Sequence, residues 1–76
     1  MKKETKPTYE LSAVVWSNIR KQQYLLHMTD DQLCEVLDIC KRTLASYDRD
    51  PSTLNLDKIQ KFLTETGTQI VTLIQI

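Results

Sequence analysis

Residues 29–48, TDDQLCEVLDICKRTLASYD, decide how this chain folds. Thr29 and Gln32 fit a capping box: the Thr29 hydroxyl can accept from the Gln32 amide while the Gln32 side chain reaches back to the Thr29 amide, so a helix starts here. Leu33, Cys34 and Leu37 form its inward face, and it cannot run far past Asp38. A second short helix follows, with Leu44 and Tyr47 inward and Lys41, Arg42, Ala45 and Ser46 outward. Pro51 closes it, because proline lacks an amide donor and forces Asp50 out of helical geometry. Two helices crossing steeply need a small residue facing the partner backbone, a turn residue tolerant of unusual dihedrals, and apolar side chains that lock the crossing. Cys34 is the small residue and Asp38 the turn residue, while Leu33, Leu37, Ile39, Leu44 and Tyr47 lock. The pattern predicts a helix-turn-helix over residues 30–48.

Outward from this motif, Leu11, Val15, Ile19 and Leu26 recur at the spacing of one helix face, which predicts a preceding helix from about Ser12 to near His27. Gln22 interrupts that stripe, as a buried polar contact or a loosened turn. Val14, Val15 and Trp16 cannot all face one core, which leaves one or two of them to cover an interface. On the other side, Leu56, Ile59, Phe62 and Leu63 repeat at helical spacing up to Gly67, the expected stop of a fourth helix. The tail TQIVTLIQI is rich in β-branched residues and predicts a strand over residues 69–75. An unpaired strand presenting Ile70, Val71, Leu73, Ile74 and Ile76 is an aggregation hazard, so pairing with a symmetry mate or with residues 8–11 is expected. The organisation read from sequence is a flexible basic arm (1–8) with Lys2, Lys3 and Lys6, a helix-turn-helix domain (9–67) and a C-terminal dimerisation strand (68–76).

A chain of 76 residues has room for one small domain, which buries roughly 60% of the surface its unfolded chain exposes. One glycine and two prolines, with 41% hydrophobic and 26% charged residues, favour a mainly α fold over a loop-rich or all-β one. No apolar run reaches the ~18 residues of a membrane span and MKKETKPT lacks a signal-peptide core, so a cytoplasmic protein without membrane contact is expected. Cys34 and Cys40 fit neither a metal-binding CxxC pair nor a disulfide framework and read as reduced structural thiols. A single histidine, His27, at a helix end, no glycine-rich loop and no nucleophile placed beside a base leave no catalytic constellation; neither an enzyme nor a cofactor or metal is expected.

Residues 29–49, TDDQLCEVLDICKRTLASYDR, resemble the Xre/Cro family of phage-repressor helix-turn-helix domains without a gap. The family's Ser or Thr, then Gln, ahead of Leu-Ala, then Leu-Gly-Val-Ser and Thr-Ile with a following acidic residue, correspond to Thr29, Asp30, Leu33-Cys34, Leu37-Asp38-Ile39-Cys40, Thr43-Leu44 and Asp48. Ile19-Arg20-Lys21 resembles the family's first helix, and Pro51-Ser52 through Leu56, Lys58-Ile59 and Leu63 its fourth, so the likeness covers roughly residues 15–65. It implies a four-helix, lambda-repressor-like domain that regulates transcription in a phage, plasmid or other mobile element by occupying a double-stranded operator as a homodimer.

In that family the outward face of the second motif helix enters the major groove. Carried over, Lys41 and Arg42 reach base edges from the first turn, Ser46 reads one turn later and Ala45 touches a thymine methyl. Cys40, Thr43 and the amides at the helix start hold phosphate, joined by Arg49 and by Lys2 and Lys3 of the arm. The chain departs from the pattern at Asp30 and Asp31, near where the family often has a phosphate-contacting Gln. A carboxylate about 4 Å from a phosphate costs roughly 1–4 kcal/mol, whereas the same acidic residues favour a helix N-terminus by about 0.3–1 kcal/mol each. Asp38 stands in place of the usual turn Gly, Cys40 in place of a Ser or Thr cap, and the loop after Asp48 is short.

Net charge is zero but unevenly distributed. Residues 28–40 carry Asp30, Asp31, Glu35 and Asp38 with no basic residue, whereas residues 41–49 carry Lys41, Arg42 and Arg49 against Asp48. The alternative expectation is therefore a protein-interaction module, an antirepressor or accessory factor, whose acidic face of Asp30, Asp31 and Glu35 engages a protein partner.

Overall fold

The computed structural model describes residues 11–75, which form α1 (Leu11–Leu25), α2 (Asp30–Leu37), α3 (Lys41–Arg49), a 3-10 turn (Pro51–Thr53), α4 (Leu56–Thr66) and α5 (Ile70–Leu73). The fold is mainly α, and the expected four helices are joined by a fifth. The basic arm and its Lys2, Lys3 and Lys6 lie outside the described residues.

Local chemistry sets the ends of the motif helices. The capping box is complete: the Gln32 amide donates to Thr29 Oγ1 at 3.1 Å and the Thr29 amide to Gln32 Oε1 at 2.8 Å. At the far end Asp38 adopts the left-handed conformation (φ 58°, ψ 51°), and the amides of Asp38 and Ile39 return to the carbonyls of Glu35 and Cys34. This is a Schellman closure built on a residue with a Cβ. Helix α1 ends the same way: His27 sits at φ 59°, and the amides of His27 and Met28 reach Tyr24 and Gln23. After α3, the Asp50 carboxylate accepts from the Ser52 amide at 3.1 Å and starts the 3-10 turn at Pro51. Asn55 caps α4 through the Lys58 amide, and Gly67 (φ 71°) ends it.

The core gathers one face from every helix: Val15, Trp16 and Ile19 from α1, Leu33, Cys34 and Leu37 from α2, Leu44 and Tyr47 from α3, Phe62 from α4 and Leu73 from α5, with Leu54 from the connection. Trp16 packs edge-on against Tyr47, ring centroids 5.1 Å apart. The expected faces of α2 and α3 are the observed ones.

The α1 stripe holds only at Val15 and Ile19. Its buried residues are Val15, Trp16, Ile19 and Gln23, whereas Leu11 is 68% and Leu26 46% exposed. Turning Trp16 inward rotates the helix relative to the expected stripe, and the helix stops at Leu25, so Leu26 falls in the turn. Val15 and Trp16 thus share one core, and Val14 is half-buried. The buried polar residue is Gln23 rather than Gln22: its amide donates to the Met28 carbonyl (3.2 Å) and Asp30 Oδ1 (2.9 Å), and its carbonyl accepts from Arg20 (2.7 Å). That bonding offsets the cost of removing a carboxamide from water.

The tail is also different: residues 69–75 form no strand. Ile70, Leu73 and Ile74 share one side of a short helical turn, Leu73 is fully buried in the same core as α1, and the Asn18 amide donates to the carbonyls of Leu73 (2.8 Å) and Gln75 (2.7 Å). β-Branched side chains favour a strand only where a partner strand supplies the ladder. Here the chain turns at Gly67, with Thr66 Oγ1 donating to the Phe62 carbonyl, and an i, i+3, i+4 arrangement buries Leu73 without one.

Candidate nucleic-acid interface

The outward side of α3 is held in place by its inward side. Leu44 and Tyr47 are clamped in the core, and Asp48, the next residue, accepts from Trp16 Nε1 at 2.8 Å and from Arg20 at 3.3 Å. With that side fixed, the helical spacing puts Lys41, Arg42, Ala45, Ser46 and Arg49 on the opposite side. Lys41, Arg42, Ala45 and Arg49 are exposed, and Ser46 and Thr43 are half-buried. Cys40 is exposed at the start of the helix without capping it; its sulfur lies 3.3 Å from Thr43 Oγ1. Helices α2 and α4 have side-chain caps, whereas the first amides of α3 have none. Hydrogen bonding to Thr43 holds the Cys40 thiol below its ordinary value, while burial pushes the Cys34 thiol up.

The acidic residues that dominate the sequence before α3 are matched from other elements. Arg20 of α1 donates to Asp30 at 3.0 Å, Lys41 of α3 pairs with Asp31 at 3.0 Å, and Lys61 of α4 approaches Asp38 at 3.5 Å, with Lys58 donating to the Asp38 carbonyl at 3.3 Å. The Gln23 amide, followed by Arg20, holds the Asp30 carboxyl below its ordinary value. Asp31 hydrogen-bonds the Lys41 ammonium and raises its pKa, so Lys41 is a firm cation. Of the expected acidic face, Glu35 alone has no ion pair among the described residues. Arg42 and Arg49 on α3 likewise have no ion pair among the described residues.

Three residues named in the sequence have roles there that its reading did not assign. Trp16 and Arg20 hold the end of α3 through Asp48, and Asp31 holds Lys41. The Asp31–Lys41 pair was legible in principle, because a helix-turn-helix brings the first turns of its two helices together. Elsewhere, an apolar groove of about 640 Å³ runs between Leu11, Val15, Leu54, Leu56, Ile70 and Ile74. Among the described residues no helix is long and apolar enough to cross a membrane, and no three potential metal-ligating side chains come together. No family model, characterised protein or solved structure matches the chain.

Proposed function

We propose that this chain is a sequence-specific regulator of transcription of the phage, plasmid or mobile-element type. It acts by occupancy, without catalysis or cofactor, and lays α3 in the major groove of an operator. One observation carries the reading: Arg42 and Arg49 project with Ala45 from the exposed side of a helix whose other side is locked in the core, while Asp30, Asp31 and Asp38 are paired internally. Arg42 is the principal base reader, able to donate two bonds to guanine O6 and N7. Lys41 reads beside it, and Ala45 and Ser46 contact the next bases. Cys40, Thr43 and the uncapped amides at the start of α3 receive one phosphate and Arg49 another; Lys2 and Lys3 add phosphate contacts from the arm.

The operator-bound form in this reading is a homodimer. Leu11, Leu56, Ile70 and Ile74, which line the apolar groove, are all at least 47% exposed. Two copies that bring these faces together cover an apolar surface that a lone chain leaves in water. The surface serves the dimer although no strand is formed.

Selection from a pool of random duplexes, followed by gel shift with salt and heparin competition, tests the function. An enriched palindromic site whose binding falls by about 1–3 kcal/mol in Arg42→Ala supports base reading. Absence of binding to any duplex at low salt removes it in favour of the protein-partner module, for which only Glu35 of the acidic face stands free of an ion pair among the described residues.

A further inference from the structure

Lys41 Nζ lies 3.0 Å from Asp31 Oδ1, and both side chains are open to solvent, at 62% and 81% exposure. The pair is not needed to start α2, since Thr29 and Gln32 already cap it. Nor is it a buried strut, because the core crossing of α2 and α3 is made by Leu33, Leu37 and Leu44. It bridges the first turn of α2 to the first residue of α3, on the side that the DNA-binding reading turns towards the duplex.

We propose that Asp31 is a specificity-determining residue of this surface: it holds the Lys41 ammonium in an internal ion pair whose carboxylate repels a phosphate while a neutral base edge can share the ammonium. This rests on the DNA-binding reading above. An ammonium has three N–H donors. With one given to Asp31, two remain for neutral acceptors such as guanine O6 and N7, and the carboxylate steers them. A phosphate is different, because its charge opposes that of Asp31 across the same ammonium. Non-specific binding consists almost wholly of phosphate contacts, so Asp31 weakens it more than it weakens operator binding. Glu35, on the same helix, has no ion pair among the described residues, and its charge acts only through the long-range field.

The test compares wild type with Asp31→Asn by fluorescence anisotropy, on a random-sequence duplex of about 20 base pairs and on the site wild type enriches from a random pool. Asp31→Asn raises random-duplex affinity about fivefold and steepens the log–log salt slope by about one, while affinity for the enriched site changes less than about twofold. Glu35→Gln changes both by less than about twofold, and Asp31→Asn in a Lys41→Ala background gives no gain. The proposal is overturned if Asp31→Asn matches Glu35→Gln, if both duplexes gain equally, or if the gain persists without Lys41. Those results leave the DNA-binding reading standing; failure of wild type and Asp31→Asn alike to bind either duplex at low salt removes both. Circular dichroism and the melting temperature of each variant confirm that the fold is intact.

Discussion

His27 and Asp38 both occupy left-handed backbone with φ near 60°, and each ends a helix without the glycine that ordinarily serves there. Exposed His27 makes no side-chain hydrogen bond among the described residues, so His27→Gly removes Cβ strain at little cost. It stabilises the fold by about 0.5–1 kcal/mol, read as a rise of several degrees in Tm. Asp38 differs, since its carboxylate and carbonyl are also approached by Lys61 and Lys58. Trp16 is buried and has its Nε1–H satisfied by Asp48. Asp48→Ala leaves that donor without its acceptor and frees one end of Arg20; we expect a loss of about 1–2 kcal/mol and a shift in tryptophan emission.

Among the elements, α5 is the most exacting test of the fold, because its sequence favours one structure and its packing another. A strand would put Val71 and Leu73 on the same face, whereas the helical turn separates them, with Leu73 fully buried and Val71 51% exposed. Leu73→Ala therefore costs about 2–5 kcal/mol and Val71→Ala less than about 0.5 kcal/mol, measured by urea denaturation. Comparable losses from both would restore the strand. A domain of this size has only about 4–11 kcal/mol in total, so Leu73→Ala brings it close to unfolding. The last turn is thus part of the core that holds α1, and through Trp16 and Asp48 that core also fixes α3.

For the whole molecule, neutrality is assembled from pairs that cross between elements. Arg20 joins α1 to both motif helices through Asp30 and Asp48, Lys41 joins α3 to α2, and Lys61 joins α4 to the motif turn. Asp30 has its folded pKa lowered by Gln23 and then Arg20, so its contribution is present above the unfolded carboxylate pKa and is lost as pH falls through the folded value. The Tm gap between wild type and Asp30→Asn is accordingly widest at neutral pH and closes in acid. A gap independent of pH would show that Asp30 acts by shape alone. If the apolar groove joins two copies as proposed, sedimentation at rising concentration is expected to show dimers for wild type and monomers for Ile70→Asp with Leu56→Asp, because both side chains rim the groove.

The sequence by itself determined what depends on neighbours a few residues apart: the capping box at Thr29, the left-handed turn at Asp38, the inward faces of α2 and α3, and the stop at Gly67. Each follows from hydrogen bonds and side-chain periodicity within one or two helical turns. It also placed Lys41, Arg42 and Ala45 on an exposed helix side, since that position is the complement of Leu44 and Tyr47. Tertiary structure alone decided the rotation of α1 about Trp16, the helical tail, and which cation meets which carboxylate. Those outcomes depend on contacts such as Trp16 with Asp48 and Asn18 with Leu73, 32 and 55 residues apart. No local window contains both partners, and the burial that selects Gln23 over Gln22 and folds Ile70, Leu73 and Ile74 into one turn exists only once the helices have packed.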